Sequence, residues 1–204
     1  MNYKEFKAYF SERKNLPIIE SIECLCDETD NIELFEHMEH VATLAEELAK
    51  HYNLNEDEAY LTGFLHDVAR LIDPEEYIQI LENHDVYVTD DEMKVIDVLH
   101  GKVAKVLCEN VLDVQSADIH SGILYHTTLR KKATDFEKVI FLADKMTWTY
   151  DDMVFNIEET VFQSLNVACY NALSWIIKHL ENKNGLILPD TLEAYLFYKS
   201  SVLF

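Results

Sequence analysis

The chain has 204 residues, enough for one domain with a substantial core and short for two. Hydrophobic residues make up 49% and charged residues 27%, which excludes a disordered polymer, and the formal net charge of -21 at pH 7 repels polyphosphate backbones and so argues against DNA or RNA as a partner. A small phosphorylated ligand stays open, because a divalent ion is a larger local charge than any side chain.

Four Gly and three Pro are too few to punctuate a fold of many short strands, so the chain predicts helices. Met1 to Glu33 reads as a helical elaboration ahead of the core. A helix from about Glu33 to Tyr52 has Val41, Leu44, Ala45 and Leu48 as its buried stripe and ends at Asn53. Asn55-x-x-Glu58 has the form of a capping box and opens a helix that includes Ala59 to Leu71, and Asp73-Pro74 opens the next. Thr89-x-x-Glu92 and Thr134-x-x-Glu137 repeat the start signal ahead of Val95-Ile96 and Val139-Ile140-Phe141. One long helix is predicted from Val154 to Leu180, carrying Val161, Leu165, Ala168, Ala172, Trp175 and Ile176 at helical spacing, with Asn184-Gly185 as its stop. Pro189-Asp190 then begins a short final helix through Tyr198. With no repeat or linker, the expectation is a single all-α domain over 1–204.

No run approaches the eighteen or so apolar residues that span a bilayer, which predicts no membrane partner. Cys24, Cys26, Cys108 and Cys169 lack zinc-ribbon spacing, and the N-terminus carries no apolar signal segment, so they read as reduced thiols of a cytoplasmic protein. Cys24-x-Cys26 is read as helix-face residues rather than as a soft-metal site.

The chemistry is concentrated in Phe64-Leu65-His66-Asp67-Val68-Ala69, where His and Asp stand side by side in an otherwise apolar helical run. A buried carboxylate costs several kcal/mol unless a cation or hydrogen bonds compensate it, so Asp67 asks for a positive partner. His37, His100, His126 and Asp144 occupy similarly apolar helical settings. Any one of them alone reads more readily as a satisfied core residue, but six such positions on five helices point to a shared metal centre, and mixed imidazole and carboxylate donors suit Mn, Fe or Zn. His40, His51, His84, His120 and His179 are read as non-ligands, with His40 the closest to His37 at one helical turn.

The ordered set His37, His66-Asp67, His100, His126, Asp144, with Leu99-His100-Gly101, Tyr125-His126-Thr127-Thr128, Leu142-Ala143-Asp144 and Pro189-Asp190-Thr191-Leu192-Glu193-Ala194, resembles the HD superfamily of metal phosphohydrolases. More closely it is similar to the YqeK-type symmetrical dinucleoside tetraphosphatases, over about Phe35 to Leu196. The resemblance implies an HD-domain helical array around a metal centre, with 34–145 as metal-binding core, 1–33 as N-terminal elaboration and 146–204 as C-terminal helices. It implies two divalent ions, iron with manganese as a workable substitute. One would be held by His37, His66, Asp67 and Asp144, with Asp67 bridging to a second held by His100 and His126. Asp67, His66 and Arg70 are the expected catalytic residues, and Arg70, Lys102, Thr128 and Arg130 the expected phosphate contacts. Trp148 and Tyr150 could stack on a nucleobase, with core packing the slightly preferred reading.

Two departures from the family stand out. Leu34 occupies the position three before the first His where the family carries Arg, and Lys145-Met146-Thr147-Trp148-Thr149-Tyr150 replaces its Ile-Glu-Pro-x-Arg segment. The expected activity is hydrolysis of a small nucleotide, diadenosine tetraphosphate to two ADP in the leading reading. The alternatives are a nucleotidase acting on nucleoside mono- or triphosphates, and a non-catalytic nucleotide-sensing module stabilised by its metal. Oligomeric state is left open, a homodimer being one alternative.

Overall fold

The structure, a computed structural model, describes residues 1–148 and 151–202. Eleven α-helices account for most of them, and among the described residues there is no strand. In chain order they are α1 (Tyr3–Glu12), α2 (Ile18–Glu28), α3 (Ile32–His51), α4 (Glu56–Leu65), α5 (Tyr77–Asn83), α6 (His100–Asn110), α7 (Ala117–Tyr125), α8 (Asp135–Met146), α9 (Asp151–Val161), α10 (Leu165–Asn182) and α11 (Pro189–Val202).

The starts reflect local chemistry. Asn55 accepts from the Glu58 amide to cap α4, Ser116 does the same for Ile119 in α7, and Thr134 with Glu137 forms a complete capping box on α8. The final helix begins at Pro189 as expected and runs four residues beyond Tyr198, to Val202.

Three expected elements differ from those formed. The helix through Ala59 to Leu71 stops at Leu65, and the chain passes His66 and Asp67 into a 3-10 turn at Val68–Leu71. Thr89 and Glu92 exchange the expected capping bonds, yet the chain then makes only two short 3-10 turns, Glu92–Lys94 and Ile96–Leu99, before α6 begins at His100. The long helix over 154–180 is a pair, α9 and α10, divided at Phe162–Ser164. There the amides of Gln163 and Ser164 both turn back to Thr160 O, and Ser164, in an extended conformation, caps the new helix at Val167. This break lets α10 pack on α9, α8 and α11, which one straight helix could not do.

The buried apolar residues form two clusters. One joins α1, α2, the end of α4 and α6, including Phe6, Ile22, Phe64 and Val103. The other joins α3, α8, α9, α10 and α11, including Val41, Phe141, Ile157 and Leu173. Helix α3 serves both, with Met38 and Ala42 in the first and Val41, Ala45 and Leu48 in the second.

The crossing of α3 over α4 is unusually close at Gly63. A Cβ there would stand 2.7 Å from Ala42 Cα and 2.9 Å from Val41 O, both backbone atoms that cannot swing aside. Gly63→Ala should therefore lower unfolding free energy by about 1 to 3 kcal/mol, although alanine is favoured over glycine in a helix by about 1 kcal/mol. Urea unfolding measures it, and an unchanged or raised midpoint would show that this crossing has slack.

Candidate metal centre

The close crossing at Gly63 lies one turn before His66. Five of the six residues sit at helix ends or junctions: His66 closes α4 with Asp67 after it, His100 opens α6, His126 closes α7, and Asp144 is in the last turn of α8. His37 lies in the second turn of α3. Apart from His37, which is half-buried, all are buried.

Three of the imidazoles are oriented by one device. His66, His100 and His126 each place Nδ1 against the carbonyl three residues back, on Gly63, Asp97 and Ile123. A carbonyl only accepts, so Nδ1 carries the hydrogen and the neutral ring presents a lone pair at Nε2. For His37 the same part falls to Thr147. Its Oγ1 lies 3.4 Å from His37 Nδ1 and donates to Asp144 O, leaving it to accept from the ring.

All four Nε2 atoms converge on the two carboxylates in two groups. His37 Nε2 is 3.6 Å from both Asp67 Oδ2 and Asp144 Oδ1, and His66 Nε2 is 3.6 and 3.8 Å from the same atoms. The other oxygen of Asp67, Oδ1, faces His100 Nε2 at 3.1 Å and His126 Nε2 at 3.7 Å. Within the groups, His37 and His66 bring their Nε2 atoms to 3.2 Å, and His100 and His126 to 2.8 Å.

These contacts do not close as hydrogen bonds. Burial pushes the His37 and His126 imidazoles down, His126 strongly, which favours their neutral forms. Two such lone pairs facing each other repel, and Asp67 Oδ1, fully buried, has no hydrogen-bond partner. A cation between them resolves both conflicts. Donors about 2.0 to 2.2 Å from a divalent ion stand roughly 2.8 to 3.6 Å apart in octahedral or tetrahedral order, close to the separations here. Three overlapping sets among the described residues could hold an ion: His37, His66 and Asp67; His66, His126 and Asp144; and Asp67, His100 and His126. The donors present thus fit the metal that their arrangement in the sequence implies.

Two cations brace the carboxylates from outside. Arg70 Nε donates to Asp67 Oδ2 at 2.8 Å, and Lys145 Nζ donates to Asp144 Oδ2 at 2.6 Å and to the His126 carbonyl at 3.2 Å. Burial opposes ionisation of Asp144, but the Lys145 ammonium outweighs it and holds the carboxyl well below the usual carboxylate range.

The remaining residues singled out in the sequence have distinct places. Arg70 is at the mouth of the centre, half-exposed, and also bonds Asp97 Oδ1 at 3.1 Å. Lys102 is pinned by Glu92 and the Tyr87 carbonyl, and Arg130 is paired through two nitrogens with the fully buried Glu137. Each of these two cations therefore has a structural partner. Thr128 lines a cavity beside the centre. Trp148 packs against the second apolar cluster with the Lys145 ammonium 4.4 Å from its ring centre, and Tyr150 lies outside the described residues. His40, His51, His84, His120 and His179 belong to none of the three ligand sets. The four cysteines are free thiols, and none joins those sets.

Sequence reasoning missed Thr147, Lys145 and Thr127. Thr147 sits three residues after Asp144, on its side of the helix, which was a readable signal. Thr127, whose hydroxyl lies 3.1 Å from His126 Nε2 and 3.3 Å from His100 Nε2, was visible only as part of the Tyr-His-Thr-Thr segment.

The sequence profile of the HD domain matches residues 34–149, more than half of the chain and the whole stretch from His37 to Asp144. The chain belongs to the HD domain family. It is similar to proteins named symmetrical bis(5'-nucleosyl)-tetraphosphatase from Bacillus subtilis, 30% identical over 78% of this chain and 86% of that one, and from Halalkalibacterium halodurans, 29% identical over 79% and 86%. A crystal structure described as a predicted HD superfamily hydrolase involved in NAD metabolism, from Clostridium acetobutylicum, superposes with a TM-score of 0.79 over 98% of both chains at 24% identity. That likeness is one of fold, and it takes in α1, α2 and the C-terminal helices as well as the matched residues. The protein is thus an all-α hydrolase of the HD family with a buried His and Asp cluster suited to divalent metal.

Proposed function

We propose that this HD protein hydrolyses a phosphoanhydride bond in a small nucleotide, diadenosine tetraphosphate to two ADP, as a cytoplasmic enzyme. The observation that carries the reading is Asp67, whose two oxygens face different pairs of imidazoles while Oδ1 has no donor of its own. Two divalent ions, iron or in its place manganese, would be held by His37, His66, Asp67 and Asp144 on one side and by Asp67, His100 and His126 on the other. Such a pair, when bound, lowers the pKa of a shared water and neutralises charge on phosphoryl oxygens. The chain supplies the rest. His66 and Asp67 are oriented from behind by the Gly63 carbonyl and Arg70, so the donor set is preorganised. Arg70, half-exposed at the mouth, has N–H donors beyond those given to Asp67 and Asp97 with which to take a phosphate oxygen. The names of the relatives from Bacillus subtilis and Halalkalibacterium halodurans support the choice of substrate. No helix among the described residues is long and apolar enough to cross a membrane, which agrees with the proposed location.

A second reading, a nucleotidase acting on mono- or triphosphates, is favoured by one feature. Leu34 packs against the first apolar cluster, and no Arg occurs from Asp144 to the C-terminus, so a long polyphosphate meets fewer cations here. A charge-assisted hydrogen bond contributes about 1.5 to 3 kcal/mol, so Leu34→Arg should lower KM for diadenosine tetraphosphate by about one to two orders of magnitude. Steady-state hydrolysis of that substrate beside nucleoside mono-, di- and triphosphates, with Fe²⁺ or Mn²⁺, tests both readings. Brisk phosphate release from a mononucleotide with no tetraphosphate cleavage would favour the second.

A further inference from the structure

Arg70 stands between two carboxylates of unequal kind. Its Nε donates to Asp67 Oδ2 at 2.8 Å, and its Nη1 donates to Asp97 Oδ1 at 3.1 Å. The Asp67 side chain is 8% exposed and belongs to the metal centre, whereas that of Asp97, on the 3-10 turn just before α6, is 73% exposed. Exposure makes the two bonds differ in permanence. A carboxylate that water can resolvate leaves an ion pair readily, and a buried one does not. Arg70 therefore has one fixed partner and one exchangeable partner. The main chain of Asp97 has a separate task, because its carbonyl takes the Nδ1 hydrogen of His100, so the side chain alone is free to exchange.

We propose that Asp97 is a specificity-determining residue, which occupies the outward end of Arg70 until a substrate phosphate displaces it and so disfavours ligands in proportion to their charge. The inference rests on the reading above in which Arg70 takes a phosphate oxygen, and it adds a residue that the reading does not use. A guanidinium grips an anion best through two N–H groups in parallel. With Nε given to Asp67, the fork that remains is Nη1 with Nη2, and Asp97 already holds Nη1. Among the described residues nothing receives a hydrogen bond from Nη2. Phosphate thus meets one free nitrogen while Asp97 stays and two once it leaves. Its carboxylate also repels the incoming anion, and Coulomb repulsion grows with the charge that the anion carries. The chain does little to offset this elsewhere, with 38 acidic residues against 17 basic ones and Leu34 packed into the first apolar cluster. Asp97 therefore tilts selection toward phosphates of lower charge.

The test titrates Mn²⁺-loaded protein with inorganic pyrophosphate and with orthophosphate in a calorimeter, comparing wild type with Asp97→Asn. Asparagine is nearly isosteric and keeps the backbone carbonyl, and Asp97→Ser, expected to act alike, guards against an effect of the new amide. Expected are a gain of about tenfold in pyrophosphate affinity, a smaller gain of about threefold for orthophosphate, and shrinkage of both in about 1 M salt, where charges are screened beyond about 3 Å. A purely structural role for Asp97 would not grade with ligand charge or with salt. In an Arg70→Lys background a single ammonium held by Asp67 leaves Asp97 nothing to occupy, so Asp97→Asn should then change affinity by about twofold at most. Unchanged or weaker pyrophosphate binding in Asp97→Asn, or the full gain in the Arg70→Lys background, would overturn the inference. Failure of the hydrolase reading looks different, because a protein that turns over no nucleotide yet binds pyrophosphate more tightly without the Asp97 carboxylate keeps this role and loses the reaction.

Discussion

Asp67→Ala should abolish turnover, with a loss of at least about a thousandfold, and should deplete both ions. Asp67 offers Oδ2 to the group containing His37 and His66 and Oδ1 to the group containing His100 and His126, so its removal takes a donor from each. It also leaves Arg70 without its 2.8 Å partner. Charge stabilisation of this kind commonly accounts for several kcal/mol of barrier lowering, and each 1.4 kcal/mol is about tenfold in rate. His126→Ala is the contrasting variant. It removes an imidazole that faces Asp67 Oδ1 and pairs with His100, while also lying near His66 and Asp144, and should deplete mainly the second ion. Elemental analysis alongside steady-state hydrolysis separates the two variants. An Asp67→Ala protein with full metal and normal turnover would remove the bridging role and leave a mononuclear site.

Stripping the metal should lower thermal stability markedly. Without cations the protein must keep His100 and His126 Nε2 atoms 2.8 Å apart, those of His37 and His66 3.2 Å apart, and Asp67 Oδ1 buried without a donor. Binding to the folded state alone stabilises by RT ln(1 + [L]/Kd), about 2.7 kcal/mol at a hundredfold excess over Kd for one ion. For a chain of this length that corresponds to a fall in Tm of roughly 5 to 10 °C on chelation. Scanning calorimetry with chelator and with Mn²⁺ measures it, and coincident melting curves would mean that the cluster satisfies itself.

How far the sequence led depends on the kind of interaction. His66, Asp67, His100, His126 and Asp144 were legible because polar groups stood in runs otherwise apolar, and all five are buried where the runs predict burial. The caps at Asn55 and Thr134 were legible because capping is local, decided within three residues. The hidden part is tertiary. The ends of α4 and α7 fall at His66 and His126, with each ring turned back on its own helix, so the donor geometry interrupts a periodicity that would otherwise run on. The break at Phe162–Ser164 was hidden for the opposite reason. The apolar spacing continues across it, and Ser164 acts as a cap only because α10 has α8 and α11 to pack on. Lys145, which entered the sequence reading only as part of the segment after Asp144, is almost fully buried against Asp144, Phe141 and Trp148, a tertiary pairing that no local spacing announces.

The number of divalent ions per chain in protein loaded with Fe²⁺ or Mn²⁺ and freed of excess bears most directly on the account. Two tightly held equivalents in wild type, with diadenosine tetraphosphate cleavage rising as the second site fills, is the result predicted from the paired imidazoles around Asp67. A single equivalent at saturation, with cleavage already maximal, would contradict it.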